Sequence, residues 1–291
     1  MEFPRSPEEA ELLIRESEDR FTESLRQTAR WVLQEKTVLL TLSGPTCSGK
    51  TTTAARLRKE LEQSGRKVVP FSFDDFFRDR PRDNRITAAP PDYDTVQALD
   101  ILCLAEALEA LQKTTAARIP IYDFVSGKRV GSRTHIPVPG ELYLWEGIQA
   151  VYPEVLALLG LSAPDIVLDV DPPPDWSMTG ADIRLCRRIL RDVRCRGASP
   201  AFTLFLWQSV RENEIRNIEP QLPKAGIRIQ SCMPYEPYLL ADSLLPILTE
   251  IRHEQTGEAL RLTEALKRFR NFPVNPAMIP KDSIFREFIG P

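Results

Sequence analysis

Short unbroken apolar runs alternate along the chain with longer stretches in which apolar residues return every third or fourth position. Residues 37–43 (Thr37-Val38-Leu39-Leu40-Thr41-Leu42-Ser43) form such a run. A strand wet on one face would alternate apolar with polar residues, so an unbroken run predicts a strand covered on both faces. Residues 67–72, 141–147 and 165–170 predict strands of the same kind and 226–231 a last one, whereas 118–122 predicts a short strand at best. Helical spacing appears over residues 52–63, ended by Ser64-Gly65, and again over 98–111, about 181–194 and about 200–215. Strands alternating with helices predict an α/β fold. Its doubly wound parallel sheet carries helices on both faces and ligand sites at the carboxyl ends of the strands.

The flanks read differently. Ser6-Pro7-Glu8-Glu9 signals a helix start, with Ser as N-cap, Pro in the first turn and acids facing the dipole. Ile14, Phe21, Leu25, Ala29 and Val32 then return on one face to about residue 35. Residues 1–36 are therefore expected to form an amphipathic extension that covers the sheet or a dimer surface. The central domain takes residues 37–250, and 251–291 add a helix over 257–269 and Pro-interrupted coil packed on it. Residues 78–95, with Pro81, Pro90 and Pro91, predict a loop over the site or a mobile one.

Charge and cysteine content narrow the class. A formal net charge of −3 gives no electrostatic case for nucleic acid or an anionic membrane. No apolar run approaches the roughly 18 residues that span a bilayer, and the acidic N-terminus lacks a signal-peptide core. Cys47, Cys103, Cys186, Cys195 and Cys232 are scattered without a C-x-x-C pair, which predicts free thiols and a cytoplasmic protein. With only His135 and His253, a His-rich metal site is excluded.

Chemistry concentrates after the first predicted strand. Gly44-Pro45-Thr46-Cys47-Ser48-Gly49-Lys50-Thr51 satisfies G-x-x-x-x-G-K-[ST] between a strand and a helix, the context of a phosphate-binding P-loop. Its glycines let successive N–H groups face one anion at the positive end of the helix. Gly44, Thr46, Ser48, Gly49, Lys50, Thr51 and Thr52 are thus expected to hold ATP, with Lys50 on the outer phosphates and the Thr51 hydroxyl on Mg²⁺. Cys47 reads as a small filler inside the loop.

Asp74 and Asp75 end the second strand. A carboxylate there could take the proton of an attacking hydroxyl during phosphoryl transfer, or the pair could be exposed loop acids capping a helix. Glu146 closes a buried run and is expected near Mg²⁺, with Asp169 and Asp171 as weaker rivals. Arg184, Arg187, Arg188 and Arg191 fall on one face of a helix, extended by Arg194 and Arg196. They form either a solvated basic face or a lid, over about 181–196, that closes on phosphates.

Together these pieces resemble the uridine kinase/phosphoribulokinase family of P-loop kinases over about residues 38–250. The shared stretches are the P-loop through Thr53, Ser72-Phe73-Asp74-Asp75-Phe76-Phe77, Tyr93-Asp94 with Ala98-Leu99-Asp100, Pro120-Ile121-Tyr122-Asp123-Phe124, Glu146-Gly147-Ile148, and 182–192. A bacterial uridine-kinase-like subgroup is similar in further stretches. These are Arg196-Gly197, Trp207-Gln208-Ser209-Val210-Arg211, Asn217-Ile218, Met233-Pro234-Tyr235-Glu236, and the ending Ser283-Ile284-Phe285-Arg286-Glu287-Phe288-Ile289-Gly290.

The resemblance implies a P-loop NTPase fold and ATP- and Mg²⁺-dependent phosphorylation of a small-molecule hydroxyl, usually the 5′-OH of a pyrimidine nucleoside. Carried over by position, it implies Asp74 as general base beside Lys50 and Arg188. Arg187 and Arg191 would serve the nucleotide. Asp94, Tyr122, Phe124 and Arg184 would serve the acceptor, and Thr51 with Glu146 the metal. There are two departures. Uridine–cytidine kinases carry a base-reading His five residues after the tyrosine, where this chain has Gly127. Residues 172–180 also form a stretch that uridine kinases lack. The acceptor is therefore expected to be a uridine- or cytidine-like nucleoside, or else a sugar phosphate or vitamin precursor. A regulatory ATPase without acceptor is the reading from another class, and a homo-oligomer is compatible with all of them.

Overall fold

The computed structural model describes residues 3–80, 94–250 and 257–290. Strands β1 (Leu39–Ser43), β2 (Val68–Ser72), β5 (Leu142–Glu146), β6 (Ile166–Asp169) and β7 (Ile227–Gln230) pair in parallel in the order β2-β5-β1-β6-β7. The unbroken apolar runs have their explanation in two cores, one on each face of this sheet. On β5, Leu142 and Leu144 enter the core that also receives Leu40, Leu42 and Leu168, while Trp145 enters the other with Phe71 and Phe73. Successive side chains point to opposite faces, and both faces are dry.

Helix α1 (Pro7–Glu35) starts as the sequence predicts, with the Glu9 N–H donating to the Ser6 hydroxyl and Pro7 in the first turn. Its stripe of Ala10, Ile14, Phe21, Leu25, Ala29 and Val32 lies in the first core, so of the two expected roles it takes that of covering the sheet. Helix α2 (Lys50–Gln63) follows the P-loop. Helices α3 (Ile101–Gln112) and α4 (Pro153–Leu159) cover the opposite face, where residues of both enter the second core. Helices α5 (Gly180–Cys195), α6 (Pro200–Asn213), α7 (Glu236–Glu250), α8 (Gly257–Lys267) and α9 (Arg286–Ile289) complete the described chain. None of the described helices is long and apolar enough to cross a membrane.

Five elements depart from expectation. The 118–122 segment is a full strand, β3 (Ala117–Asp123), paired antiparallel with β4 (Lys128–His135), which the sequence pattern does not show. Most of β4 is exposed, so no burial imposes a period on it. Helix α4 is short, and α7 carries Pro237 near its start and Pro246 inside; both weaken a helical signal. The helix expected over 200–215 ends at Asn213 and widens into a π turn over Glu214–Ile218. Of the predicted loop over 78–95, residues 81–93, including Pro81, Pro90, Pro91 and Tyr93, lie outside the described residues, as does His253.

The stretch 172–180 docks the C-terminal additions. Trp176 is buried edge-on to Phe269, 5.8 Å between centroids, and Asp182 at the start of α5 pairs with Arg261 of α8. Arg268 also donates to the Ser177 hydroxyl at 2.9 Å.

Candidate active site

The P-loop leaves β1 at Ser43 and turns back into α2 within six residues. Gly44 has φ +152°, and a Cβ there would stand 2.8 Å from the Ser48 Oγ and 3.0 Å from Leu168, so only glycine fits. Cys47, at φ +57°, is a left-handed non-glycine residue. That conformation costs roughly 1–2 kcal/mol and persists only where neighbours hold it.

Those neighbours are arginines on α5. Arg187 is fully buried, donates to the Cys47 carbonyl at 2.9 Å and the Ser231 carbonyl at 2.6 Å, and forms a two-pronged pair with Glu236. Arg184 pairs with Glu214 on the π turn, and Glu214 in turn accepts the Thr46 N–H at 3.1 Å. Both side chains are nearly closed to solvent. The sequence placed Arg187 on the nucleotide and Arg184 on the acceptor; in this structure both brace the P-loop from behind. The helix face is shared as predicted, but packing of α5 against α6, α7 and α9 seals its first two arginines inside.

Arg188 and Arg191 do face the loop. With Arg196, they line a cavity of about 320 Å³ that also holds Thr46, Lys50, Thr51, Asp74, Asp94 and Glu146. The Arg188 Nη1 donates to the Thr46 hydroxyl at 3.4 Å, and Arg191 pairs with Glu287 at 3.4 Å. The Nε atoms of Arg188 and Arg191 and the Ser48 hydroxyl are buried with no hydrogen-bond partner. The Arg188 Nε lies 3.6 Å from the Asp192 carboxylate, and three guanidinium groups lining one cavity suit a polyanion.

Lys50 caps the loop, its Nζ donating to the Gly44 and Pro45 carbonyls at 3.0 and 2.9 Å. Burial pushes its ammonium below the ordinary value, against the pull of Glu146 and Asp74. Asp74 sits in a 3₁₀ turn just past β2, its N–H donating to the Ser72 hydroxyl at 3.3 Å. Burial and the neighbouring Asp94 charge push its carboxyl up to about 6 against the opposing Lys50 charge. Gln149 lies near enough to favour the Asp74 anion, although its amide makes no hydrogen bond of good geometry. Asp75 turns the other way and pairs with Arg133 at 3.4 Å.

Glu146 accepts hydroxyl hydrogen bonds from Ser72 at 2.9 Å and Thr51 at 3.4 Å. Burial, aided by Asp74, raises its carboxyl to about 7. Carboxylate and hydroxyl oxygens are the donors a hard cation such as Mg²⁺ takes, so Thr51 and Glu146 fit the ion. Among the described residues, no group of three His, Cys, Asp or Glu side chains is placed to hold a metal ion. Asp169 pairs instead with Arg228 at 2.6 Å, away from the cavity.

A second cavity, of about 420 Å³, opens beside the first and shares Phe77, Asp94, Phe124, Arg188 and Arg196 with it. Tyr122 and Phe124 lie in its wall edge-to-face at 5.3 Å, and the Arg196 guanidinium covers Phe124 at 5.6 Å. The Asp94 carbonyl accepts from Tyr152 at 2.5 Å and from Asn213 at 3.3 Å. Gly127 holds φ +66°, its carbonyl accepts the Arg80 N–H at 2.8 Å, and a Cβ there would stand 2.7 Å from the Arg80 side chain. Sequence reasoning missed Glu214 and Glu287 as site residues, while Arg196 lines the cavity from the end of the expected lid. Glu214 and Glu287 belong to no phosphate-binding pattern, and only folding carries them to the P-loop.

The model of the phosphoribulokinase / uridine kinase family matches residues 39–235. The chain is 29% identical over 170 residues to uridine-cytidine kinase B of Dictyostelium discoideum, covering 58% of this chain and 64% of that protein, just under two thirds of its length. It is 28% identical over 199 residues to a uridine kinase of Clostridium tetani, covering 68% of this chain and 88% of that one. Among solved structures, one described as a "possible uridine kinase" from Bacillus stearothermophilus shares the fold. It superposes with a TM-score of 0.51 at 17% identity, over 71% of this chain and 97% of the other.

Proposed function

The chain belongs to the phosphoribulokinase/uridine kinase family of ATP-dependent phosphotransferases that act on hydroxyl groups, and we propose that it phosphorylates the 5′-OH of a nucleoside. The observation that carries this reading is the placement of Asp74. It stands in the cavity with Lys50 and Glu146, and that cavity shares Phe77, Asp94 and Phe124 with the second one, which Tyr122 also lines.

In this reading the γ-phosphoryl group lies against Lys50, Arg188 and Arg191, and the acceptor hydroxyl points to Asp74. An Asp74 carboxyl raised towards neutrality is basic enough to take the hydroxyl proton and ionised enough to do so near pH 7. Mg²⁺ held by Thr51 and Glu146 would neutralise charge on the outer phosphates. Tyr122 and Phe124 flank the acceptor base, and Asp94 takes its sugar hydroxyls. Positioning and fixed positive charge supply most of the rate, because phosphoryl transfer asks little covalent work of the protein.

One observation favours a second acceptor class. The place of a base-reading His is a left-handed glycine overlaid by Arg80, and Arg78 and Arg80 line the same cavity. A site that loses a base-directed hydrogen bond loses discrimination for that base. A sugar phosphate or hydroxylated vitamin precursor is therefore the alternative acceptor. ADP release from Mg·ATP across nucleosides, sugar phosphates and vitamin precursors tests both, with Lys50→Ala as control. Stimulation by a nucleoside supports the first reading, and stimulation by an anionic sugar alone replaces it with the second. Slow release that nothing stimulates would overturn both.

A further inference from the structure

The C-terminal segment reaches the phosphate cavity from outside the matched family region, which ends at residue 235. Ser283 is buried with its hydroxyl 2.8 Å from the Tyr235 hydroxyl, which donates to Glu18 of α1 at 2.6 Å. Ile284 lies against the P-loop, 3.4 Å from where a Cβ on Gly49 would stand. Beyond it, Arg194 of α5 donates to the Ile289 carbonyl at 2.7 Å. Helix α9 is thus fastened at both ends, and between them Glu287 turns into the cavity.

Its two carboxylate oxygens divide between Arg191, which lines that cavity, and Thr52, the residue after the cavity-lining Thr51. One lies 3.4 Å from the Arg191 guanidinium, and the other accepts the Thr52 hydroxyl at 3.3 Å. Thr52 stands in the first turn of α2, directly after the P-loop, and Arg191 keeps a buried Nε without a hydrogen-bond partner. An ionised carboxylate and a phosphate oxygen are both acceptors and compete for the same donors.

We propose that Glu287 is a built-in competitor for nucleotide phosphate. Its carboxylate holds Thr52 and Arg191 in place of an anionic ligand oxygen, and a bound nucleotide takes those two donors over. The inference rests on the reading of the P-loop cavity as a nucleotide site. Two like charges on one pair of donors repel, so the carboxylate must swing out, and with 21% of its side chain open to solvent it has room to do so. A site whose donors are partly engaged binds with an affinity reduced by the engaged fraction. The segment at the end of the chain therefore weakens nucleotide binding and favours nucleotide release.

Calorimetric titration of the full chain with Mg·ATP, inorganic tripolyphosphate and adenosine tests this, in the wild type, Glu287→Gln and Glu287→Asp. Glu287→Gln removes the charge and keeps the shape. Glu287→Asp keeps the charge and draws it back from both donors. Both variants should bind Mg·ATP and tripolyphosphate about five- to tenfold more tightly, the range of a modest coupling between sites, with adenosine unchanged. Unchanged or weaker binding of the two phosphate ligands in both variants, at wild-type melting temperature, would overturn the inference. A wild type that binds neither phosphate ligand would remove the nucleotide-site reading itself, and this inference with it.

Discussion

Arg187 donates to the carbonyl oxygen of Cys47 at 2.9 Å from a position closed to solvent. The left-handed turn of the P-loop is thereby pinned by a charge whose own partner, Glu236, is equally buried. The conformation that lets the loop face a phosphate is held from behind, by residues closed to solvent.

That arrangement predicts an asymmetric mutational response. Arg187→Leu strands the Glu236 carboxylate in the interior and should cost about 3–5 kcal/mol, as removal of one partner of a buried pair does. Arg187→Leu combined with Glu236→Leu should recover much of that loss. Urea denaturation of the three proteins measures it, and a double variant no more stable than the single one would show that the pair is not the source.

Asp74 and Asp75 are adjacent in sequence but not in role. Asp74→Asn should lower turnover about 10²–10⁴-fold, the usual contribution of a general base, while Mg·ATP binding survives. Asp75→Asn, which releases Arg133 and keeps an oxygen for the Tyr122 N–H, should change turnover by no more than a few-fold. Steady-state rates with the identified acceptor decide this, and an Asp74→Asn enzyme with near-normal turnover would remove that residue from the chemistry.

The raised Asp74 value gives two pH dependences of opposite sign. As a base, Asp74 works when ionised, so kcat/KM should rise with pH through about 6 and then level off. For stability, the folded value of about 6 lies above the ordinary 3.8, so between them the folded state keeps a proton that the unfolded chain has lost. Stability therefore falls as pH rises through that window. Asp74→Asn should melt higher than wild type above pH 7, and the difference should vanish below pH 4. Equal melting curves at both pH values would show that the carboxylate is not strained by burial.

Gly127 tests whether the acceptor site can be restored by one residue. Gly127→His should not confer uridine recognition, because the imidazole would meet the Arg80 side chain and the backbone would stay left-handed. The expected cost is roughly 1–2 kcal/mol from the backbone alone. A stable Gly127→His protein with improved uridine turnover would contradict this account of the cavity.

Much of the fold was legible in the sequence. The unbroken runs at residues 37–43, 67–72, 141–147 and 165–170 could only be strands with two dry faces, and the P-loop pattern placed Lys50 and Thr51 without reference to any other element. Asp74 and Glu146 followed because each ends a strand, and the ends of parallel strands lie side by side in one sheet. Local patterns carry such information because period and turn chemistry depend on neighbouring residues. The pattern left Arg184, Arg187, Arg188 and Arg191 equivalent, since all four lie near one helical face. Only the packing of α6, α7 and α9 around α5 turned two of them into braces of the P-loop and two into walls of its cavity. Glu214, Glu236 and Glu287 were likewise silent, because a carboxylate gains its role from the donor it meets. Those donors stand 168, 49 and 96 positions away in the chain.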